Sequence, residues 1–246
     1  MLIKIINRIM FVFGTLEKII YQKKKPRFTE LNLMGYVKLK STFKKFSTLD
    51  PDFVISKNKF IDRYVYSKEH LNLISSEVLN NQEIRKVLFE TFGMNFSVDY
   101  IFGSKIYSIP KNLQNSIFYA NHFHRDKLFT PNMVKIFVAL EDISTSQGPT
   151  EFYTKKDSVS LSKNLKNEKF TKHSLTGKLG AASILQPTQI FHRAGIPKMK
   201  NSRKQLMLQL NPSREWSVAE DLYEKQFFYE QNFPFLCNIW KRHAID

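Results

Sequence analysis

The sequence is poor in several features that define common protein classes. It contains one cysteine, Cys237, among 246 residues, so no disulfide can form within the chain and a small secreted domain held by disulfides is excluded. We therefore expect a cytoplasmic protein. No stretch has the composition of a disordered segment, and there is neither an internal repeat nor a domain linker. This predicts a single domain over residues 1–246.

Long uninterrupted apolar runs are also missing. The apolar residues 9–13 form a short stretch that no small-residue cleavage site follows, so we expect no signal peptide. Lys4, Arg8, Glu17 and Lys18 interrupt the surrounding residues, which argues against a membrane span.

Acidic residues are scarce: 22 Asp and Glu stand against 38 Lys and Arg, for a net charge of +16. Such an excess suits nucleic acid or an anionic membrane surface. However, Lys, Asn, Ile and Phe are all abundant, as an AT-rich coding sequence would give, and no nucleic-acid-binding motif accompanies the basic residues. We interpret the charge as compositional and expect no specific nucleic-acid partner.

The N-terminal residues 1–25 have the pattern of an amphipathic helix. Lys4, Arg8, Lys18 and Gln22 lie on a narrow polar stripe, and the remaining wide face is apolar. A basic segment then ends the helix. Peripheral membrane contact through residues 1–25, packing against the domain and packing against a second chain all fit this pattern. The sequence does not indicate an oligomeric state.

The rest of the chain predicts helices first and then short strands. Residues 67–92 have helical periodicity, with Ser67 as the cap, and residues 215–231 are also predicted to be helical. Residues 155–178 are polar and indicate a surface excursion. The predicted strands are 36–39, 100–102, 105–109, 116–124, 133–140, 183–192 and 204–210. This order is typical of a mainly β fold, a cupin-like barrel or jelly roll with flanking helices.

The segment Asn121–Asp126 carries the first chemical motif. Residues two apart in a strand point to the same face, so His124 and Asp126 project together. His192 follows Asp126 by 66 residues. Two imidazoles and one carboxylate form the facial triad that holds Fe(II) and leaves three positions open for a bidentate co-substrate and dioxygen.

A second group of residues surrounds these three in the predicted strands. Arg203, eleven residues after His192, shares a strand face with Gln205, and its guanidinium suits bidentate binding of a carboxylate. His122 shares the face of His124. Three roles fit it: a contact with a metal ligand, a contact with substrate, or a purely structural role. Lys135 lies opposite the apolar face of its strand, so it either reaches the cavity or stays exposed at an edge. Thr188 has the parity of His192, which places it at the pocket.

Together, these pieces resemble a known family. The residues are His124-Arg125-Asp126, 135–142, Gly148-Pro149, 191–195 and Arg203, and their order and spacing are similar to those of the phytanoyl-CoA dioxygenase-like family of Fe(II)/2-oxoglutarate oxygenases. The resemblance covers roughly residues 97–212. That family often has Ser or Thr two residues after the arginine, where this chain has Gln205.

The resemblance implies a double-stranded β-helix, a jelly-roll core over residues 97–212. It implies Fe(II) held by His124, Asp126 and His192, with 2-oxoglutarate bound at Arg203. Gln205, Thr188 and Lys135 are the further candidates for co-substrate contacts. The implied reaction is hydroxylation of an unactivated carbon of a small-molecule or lipid-like substrate, with O2 as the second co-substrate and succinate as a product.

Parts of the same sequence also fit three other classes of protein. His122, His124 and Asp126 begin like the metal motif of metallo-β-lactamase-like hydrolases, but Lys127 stands where that motif needs His. His-Arg-Asp also occurs in kinase catalytic loops, but Pro131 replaces the required Asn and there is no glycine-rich loop. The third alternative is a jelly roll that binds at a membrane surface without catalysis.

Overall fold

Two antiparallel sheets face each other in the computed structural model, which describes residues 12, 14–126, 130–163 and 170–228. The large sheet has the strand order β1-β8-β5-β10-β4-β3-β2, with β11 added parallel to β4. The small sheet has the order β7-β6-β9. The strands are β1 Tyr36–Thr42, β2 Phe53–Asn58, β3 Ile61–Val65, β4 Asn95–Tyr107, β5 Val134–Ala139, β6 Thr150–Tyr153, β7 Lys172–Ser174, β8 Ala181–Leu185, β9 His192–Ala194, β10 Ser202–Ser213 and β11 Ser217–Val218.

The α-helices in the described residues are α1 (residues 14–21), α2 Glu30–Met34, α3 Lys68–Asn80, α4 Gln82–Phe92, α5 Lys155–Ser162 and α6 Leu222–Phe228. Capping residues mark the start of four of them, α2 to α5. Ser67 caps α3 by accepting a hydrogen bond from the His70 amide, as predicted. Asn81 then ends α3 and caps α4 through its side chain, so the predicted helix over 67–92 is two helices. Capping by Asn is favoured because its short side chain satisfies an otherwise free amide.

The core lies between the large sheet and helices α3 and α4. Alternate residues of β10, Leu206, Leu208 and Leu210, are fully buried in this core. Val134, Ile136 and Val138 of the neighbouring β5 join the same cluster. Since side chains in a strand alternate between faces, the other residues of β10 point away from the helices, toward the small sheet.

Several predicted elements differ from the observed ones. Residues 116–123 form no strand. At the end of this predicted strand, His124 makes only an isolated bridge, to His192. The predicted strand over 183–192 is interrupted between β8 and β9 by a turn in which the Ile190 amide bonds to the Gln186 carbonyl. β11 occupies part of the helix predicted from 215, and residues 229–231 lie outside the described residues.

The large sheet extends beyond the predicted core of residues 97–212. Strands β1, β2 and β3 precede residue 97, in a region where we predicted only one short strand. β3 pairs with β4, and β1 pairs with β8. The assignment of residues 1–246 to a single domain stays a prediction.

Helix α1 packs on the domain through its small and polar residues. Gly14 is buried, and Glu17 accepts hydrogen bonds from Thr130 and Asn132. Apolar residues on and just before α1 are exposed: Val12 is 54% exposed, and Leu16, Ile19 and Ile20 are exposed as well. Tyr21 at the end of α1 packs against the core. Residues 1–11 of the predicted amphipathic helix lie outside the described residues. Within the described residues, no helix combines the length and hydropathy that a membrane crossing needs.

We predict that Leu208→Ala destabilises the protein by about 2–5 kcal/mol, because it leaves a cavity in a fully buried core. Met207→Ala, one residue away on the opposite face of β10, borders an existing cavity and should cost clearly less. Urea denaturation of both variants measures the difference. Equal losses would contradict the assignment of the two faces.

The exposed face of α1 leads to a second prediction. The full chain should float with anionic liposomes, because the exposed apolar face lies beside exposed lysines of residues 23–25. Replacing Leu16, Ile19 and Ile20 by Glu should abolish flotation without disturbing the fold. Ile117→Glu, at an exposed site elsewhere, is the control. If the triple variant floats like the wild type, membrane contact through α1 is ruled out.

Candidate metal centre and cavity

Backbone pairing brings together two histidines that are distant in sequence. The His124 amide donates to the His192 carbonyl at 3.0 Å, and the His192 amide donates to the His124 carbonyl at 2.9 Å. The Asp126 amide donates to the Pro187 carbonyl at 2.9 Å. These bonds position residues 124–126 against the start of β9 without a regular strand.

The three predicted metal ligands converge. Asp126 Oδ1 lies 3.4 Å from His124 Nε2 and 3.6 Å from His192 Nε2. The three ligand atoms lie within 4.8 Å of one another. Within the described residues, this is the one cluster of three or more His, Cys, Asp or Glu side chains suited to hold a metal ion.

Hydrogen bonding of the imidazoles shows that these residues fit a cation. Nδ1 of His124 lies 2.8 Å from the His122 carbonyl, and Nδ1 of His192 lies 3.3 Å from the Ile190 carbonyl. A carbonyl only accepts, so each neutral ring carries its hydrogen on Nδ1 and turns the Nε2 lone pair inward. Burial lowers the pKa of His192 to about 3, which keeps that ring neutral at neutral pH. With both rings in this form, two lone pairs and a carboxylate oxygen face one another, and a cation between them would remove their repulsion.

Lys135 holds the second oxygen of the carboxylate. Its Nζ lies 2.5 Å from Asp126 Oδ2, whereas both imidazoles lie nearest Oδ1. Burial would raise the pKa of Asp126, but Lys135 and then His192 lower it well below its ordinary range. Because β5 lies between β8 and β10, Lys135 belongs to an interior strand and not to an edge.

Two glycines of the recognised motifs allow the turn before β6 to cross the end of β9. Gly148 has a φ of 63°, and a side chain there would meet the backbone of Ile196 and Pro197. A side chain on Gly195 would lie 2.2 Å from the Pro149 carbonyl oxygen. The spacing of these motifs thus follows from a close backbone approach beside His192.

Both imidazoles border a cavity of about 240 Å³ between the two sheets, and Arg203 lines the same cavity. Arg203 is 1% exposed, and its Nε and Nη1 have no hydrogen-bond partner among the described residues. Burial lowers the pKa of Arg203 to about 10, which leaves the guanidinium charged at neutral pH. A buried charge without a partner is costly unless a ligand supplies the counter-charge.

The other predicted co-substrate residues are placed differently from one another. Gln205 lines the cavity and accepts a hydrogen bond from the Thr150 hydroxyl at 3.0 Å. Lys135 also lines it. Thr188 does not: its hydroxyl donates to the Pro131 carbonyl at 3.0 Å, which turns it away from the pocket.

His122 contributes through its backbone. Its carbonyl orients the ring of His124, whereas its own ring is not among the cavity-lining side chains. The metal cluster of the described residues includes His192 and not His122. The His122, His124 and Asp126 set required by a metallo-β-lactamase-like hydrolase is therefore not the set that converges.

Sequence reasoning missed much of the cavity lining, including Arg63, Tyr119 and Thr150. Tyr119 and Thr150 line the cavity, and the Tyr119 hydroxyl is buried with no hydrogen-bond partner in the described part of the chain. Arg63 on β3 also lines it. Ile61, Arg63 and Val65 are spaced two apart in the sequence, which could have indicated a strand with an inward-facing arginine. All three are buried in the structure. No sequence pattern marks Tyr119, because it lies outside regular structure.

Comparisons with known proteins bear on the fold. No family model and no curated protein matches the sequence. Among solved structures, apo EctD from S. alaskensis is similar with a TM-score of 0.50 and 13% identity, over 78% of this chain and 83% of that one. This similarity, with the strand order above, confirms the predicted mainly β jelly roll with flanking helices.

Two further solved structures are similar at slightly lower scores. HygX from Streptomyces hygroscopicus, with nickel and 2-oxoglutarate bound, has a TM-score of 0.49 and 11% identity, over 76% of this chain and 88% of that one. The non-heme alpha ketoglutarate dependent epimerase SnoN from nogalamycin biosynthesis has a TM-score of 0.49 and 10% identity, over 74% and 79%. The resemblance to the phytanoyl-CoA dioxygenase-like family stays a prediction.

The convergent triad predicts that the protein binds one Fe(II) ion, measurable by anaerobic titration calorimetry. Changing a residue that contacts and orients a metal-binding side chain typically lowers metal affinity about 10–100-fold. His192→Ala, which removes a ligand, should therefore cost at least about 100-fold, and Lys135→Met about 10-fold. His70→Ala on α3 removes a histidine elsewhere and should leave affinity unchanged. Unchanged affinity in His192→Ala would reject this site.

Proposed function

We propose that the protein is an Fe(II)- and 2-oxoglutarate-dependent dioxygenase that hydroxylates an unactivated carbon of a small-molecule or lipid-like substrate. The observation that carries this proposal is that one cavity combines a group suited to bind a cation with a buried cation that lacks an anionic partner. His124, Asp126 and His192 are suited to bind the cation, and the guanidinium of Arg203 lacks the anion. A dicarboxylate that binds a metal at one end and an arginine at the other satisfies both groups.

Each residue then has a role in binding or orientation. When bound at the triad, Fe(II) supplies the oxidation, in which 2-oxoglutarate and O2 yield succinate and CO2 while one oxygen atom enters a substrate C–H bond. Arg203 holds the distal carboxylate of 2-oxoglutarate through its unpartnered N–H groups. Lys135 keeps one oxygen of Asp126 occupied, so that the other is directed to the metal.

Apolar side chains complete the cavity. Phe102, Phe137 and Met207 border it from the large sheet. They limit the access of water to the reacting atoms, which strengthens the charge interactions of the triad and of Arg203.

The other classes remain distinguishable by experiment. A zinc-dependent hydrolase would act without 2-oxoglutarate, and a non-catalytic jelly roll would consume none. The position of Arg203, buried in the same cavity as His124 and His192, favours the oxygenase, because neither alternative needs an unpaired guanidinium beside the metal ligands.

Anaerobic addition of Fe(II) and 2-oxoglutarate should produce the weak visible absorption band of a metal-bound 2-oxo acid. His192→Ala should lose the band. Arg203→Met should keep Fe(II) binding but require about 30-fold or more 2-oxoglutarate, since truncating one partner of a buried charge pair costs about 2–5 kcal/mol. Absorption titrations of the variants measure both effects.

Arg214→Met is the matched control, because Arg214 is exposed and remote from the cavity lining. Its band should match that of the wild type. The oxygenase proposal fails if wild type gives no band, or if the band survives in His192→Ala. Hydrolysis that needs zinc and no 2-oxoglutarate would support the hydrolase instead.

A further inference from the structure

A second arginine of the cavity is not used by the function proposed above. Arg63 on β3 is 5% exposed and lines the cavity. Its Nη2 donates to the Tyr100 hydroxyl at 2.5 Å, and its guanidinium lies 5.3 Å from the ring centre of Phe102. Among the described residues it has no ion pair with a carboxylate. Aromatic contacts and one hydroxyl orient this charge, but they do not neutralise it.

The other basic groups of the cavity are already committed. The basic side chains that line it are Arg63, Lys135, Arg193 and Arg203. No aspartate or glutamate of the described residues lines it. Lys135 is paired with Asp126, and Arg193 is paired with Glu151 at 2.6 Å. With Arg203 assigned to the co-substrate, Arg63 is the cation of the described lining that still lacks a counter-charge.

The strand register separates Arg63 from the co-substrate position. Arg63 is opposite Ser104 on β4, and Ser104 is opposite Gln205 on β10. Neighbouring strands lie about 4.8 Å apart, so the backbones of Arg63 and Gln205 are roughly 10 Å apart. Arg63 and Arg203 therefore enter the cavity from strands on opposite sides of β4.

Apolar side chains fill the lining around Arg63. Ile61, Ile106 and Phe118 border the cavity beside it. A ligand bound there would place an anionic group on the guanidinium and carbon atoms against these side chains. The polar side chains nearest this part of the lining, Ser104 and Tyr119, are uncharged, so the surroundings disfavour a second charged group on the ligand.

We infer that Arg63 forms the substrate subsite of the cavity and that the substrate is a small organic oxyanion with an apolar carbon skeleton. The role of this ligand as a substrate rests on the oxygenase function proposed above, whereas the presence of an anion-binding site at Arg63 does not. Carboxylates and phosphate monoesters share the required chemistry, because arginine binds both through charge-assisted hydrogen bonds.

Titration calorimetry with hexanoate tests the subsite without relying on metal or 2-oxoglutarate. Wild type should bind hexanoate, and Arg63→Met should bind it about 30-fold or more weakly. Arg214→Met should differ from wild type by less than about 3-fold in hexanoate affinity, well below the effect of losing a buried charge pair. Arg63→Lys should recover part of the affinity, because it restores the charge without the planar group.

Other ligands of the same length test the chemistry. Hexyl phosphate should compete with hexanoate, whereas hexanol and hexylamine should not bind. Equal hexanoate affinity in wild type and Arg63→Met would overturn the inference. So would a loss confined to Arg203→Met, which would place the anion at the co-substrate position, or the absence of binding by both anions in wild type.

Two measurements separate this inference from its alternatives. Arg63→Met should keep the absorption band with Fe(II) and 2-oxoglutarate, so a wild type without that band would refute the oxygenase and leave the Arg63 result intact. The variant should also melt at the same or a higher temperature than wild type, because it removes a buried charge that lacks a carboxylate. A lower melting temperature with unchanged hexanoate affinity would assign Arg63 a structural role.

Discussion

The alternation of side chains along β10 is the constraint on which both the core and the cavity depend. β10 pairs with β4 on one side and β5 on the other. Leu206 and Leu208 face the helices, whereas Arg203 and Gln205 face the cavity. A slip of one residue would exchange the two faces. Burial of the leucines therefore fixes the register, and the register fixes the position of the guanidinium.

The bridge between His124 and His192 plays the same part for the proposed metal ligands. Two backbone hydrogen bonds hold these residues together, and backbone carbonyls set the orientation of both rings. The arrangement of the three side chains thus rests on contacts within the chain. Its cost is the mutual repulsion of lone pairs and the Asp126 carboxylate, which a cation converts into attraction. Preorganisation of this kind lowers the reorganisation that binding requires.

The parts of the site that were predictable from sequence lie where local periodicity and burial agree. The parity of β5 and β10 indicated which residues share a face, and the pairing of His124 with Asp126 followed from their spacing. Residues 116–123 were predicted as a strand because strand propensity is local. Whether a strand forms depends on a pairing partner. In the described chain this stretch pairs with β9 only through the bridge at His124 and one hydrogen bond from the Ala194 amide to the Ala120 carbonyl.

Arg63 illustrates the opposite failure. Arginine is rarely buried, so Arg63 would be expected at a solvent-exposed position. Here β4 lies alongside, and Tyr100 and Phe102 cover the guanidinium. These contacts come from a strand more than thirty residues later in the chain. Sequence reasoning would need the pairing of β3 with β4 before it could place this side chain in the cavity.

The departure at Gln205 has a physical consequence for how the two sheets are joined. Where the resembled family often has Ser or Thr, this chain has an amide whose oxygen accepts the Thr150 hydroxyl. Thr150 on β6 is paired with Ala194 on β9, two residues after His192. One hydrogen bond thus ties the sheet that carries His192, a proposed metal ligand, to the sheet that carries Arg203. Since the proposed co-substrate would span the two sheets, this bond helps to fix the separation that it would need.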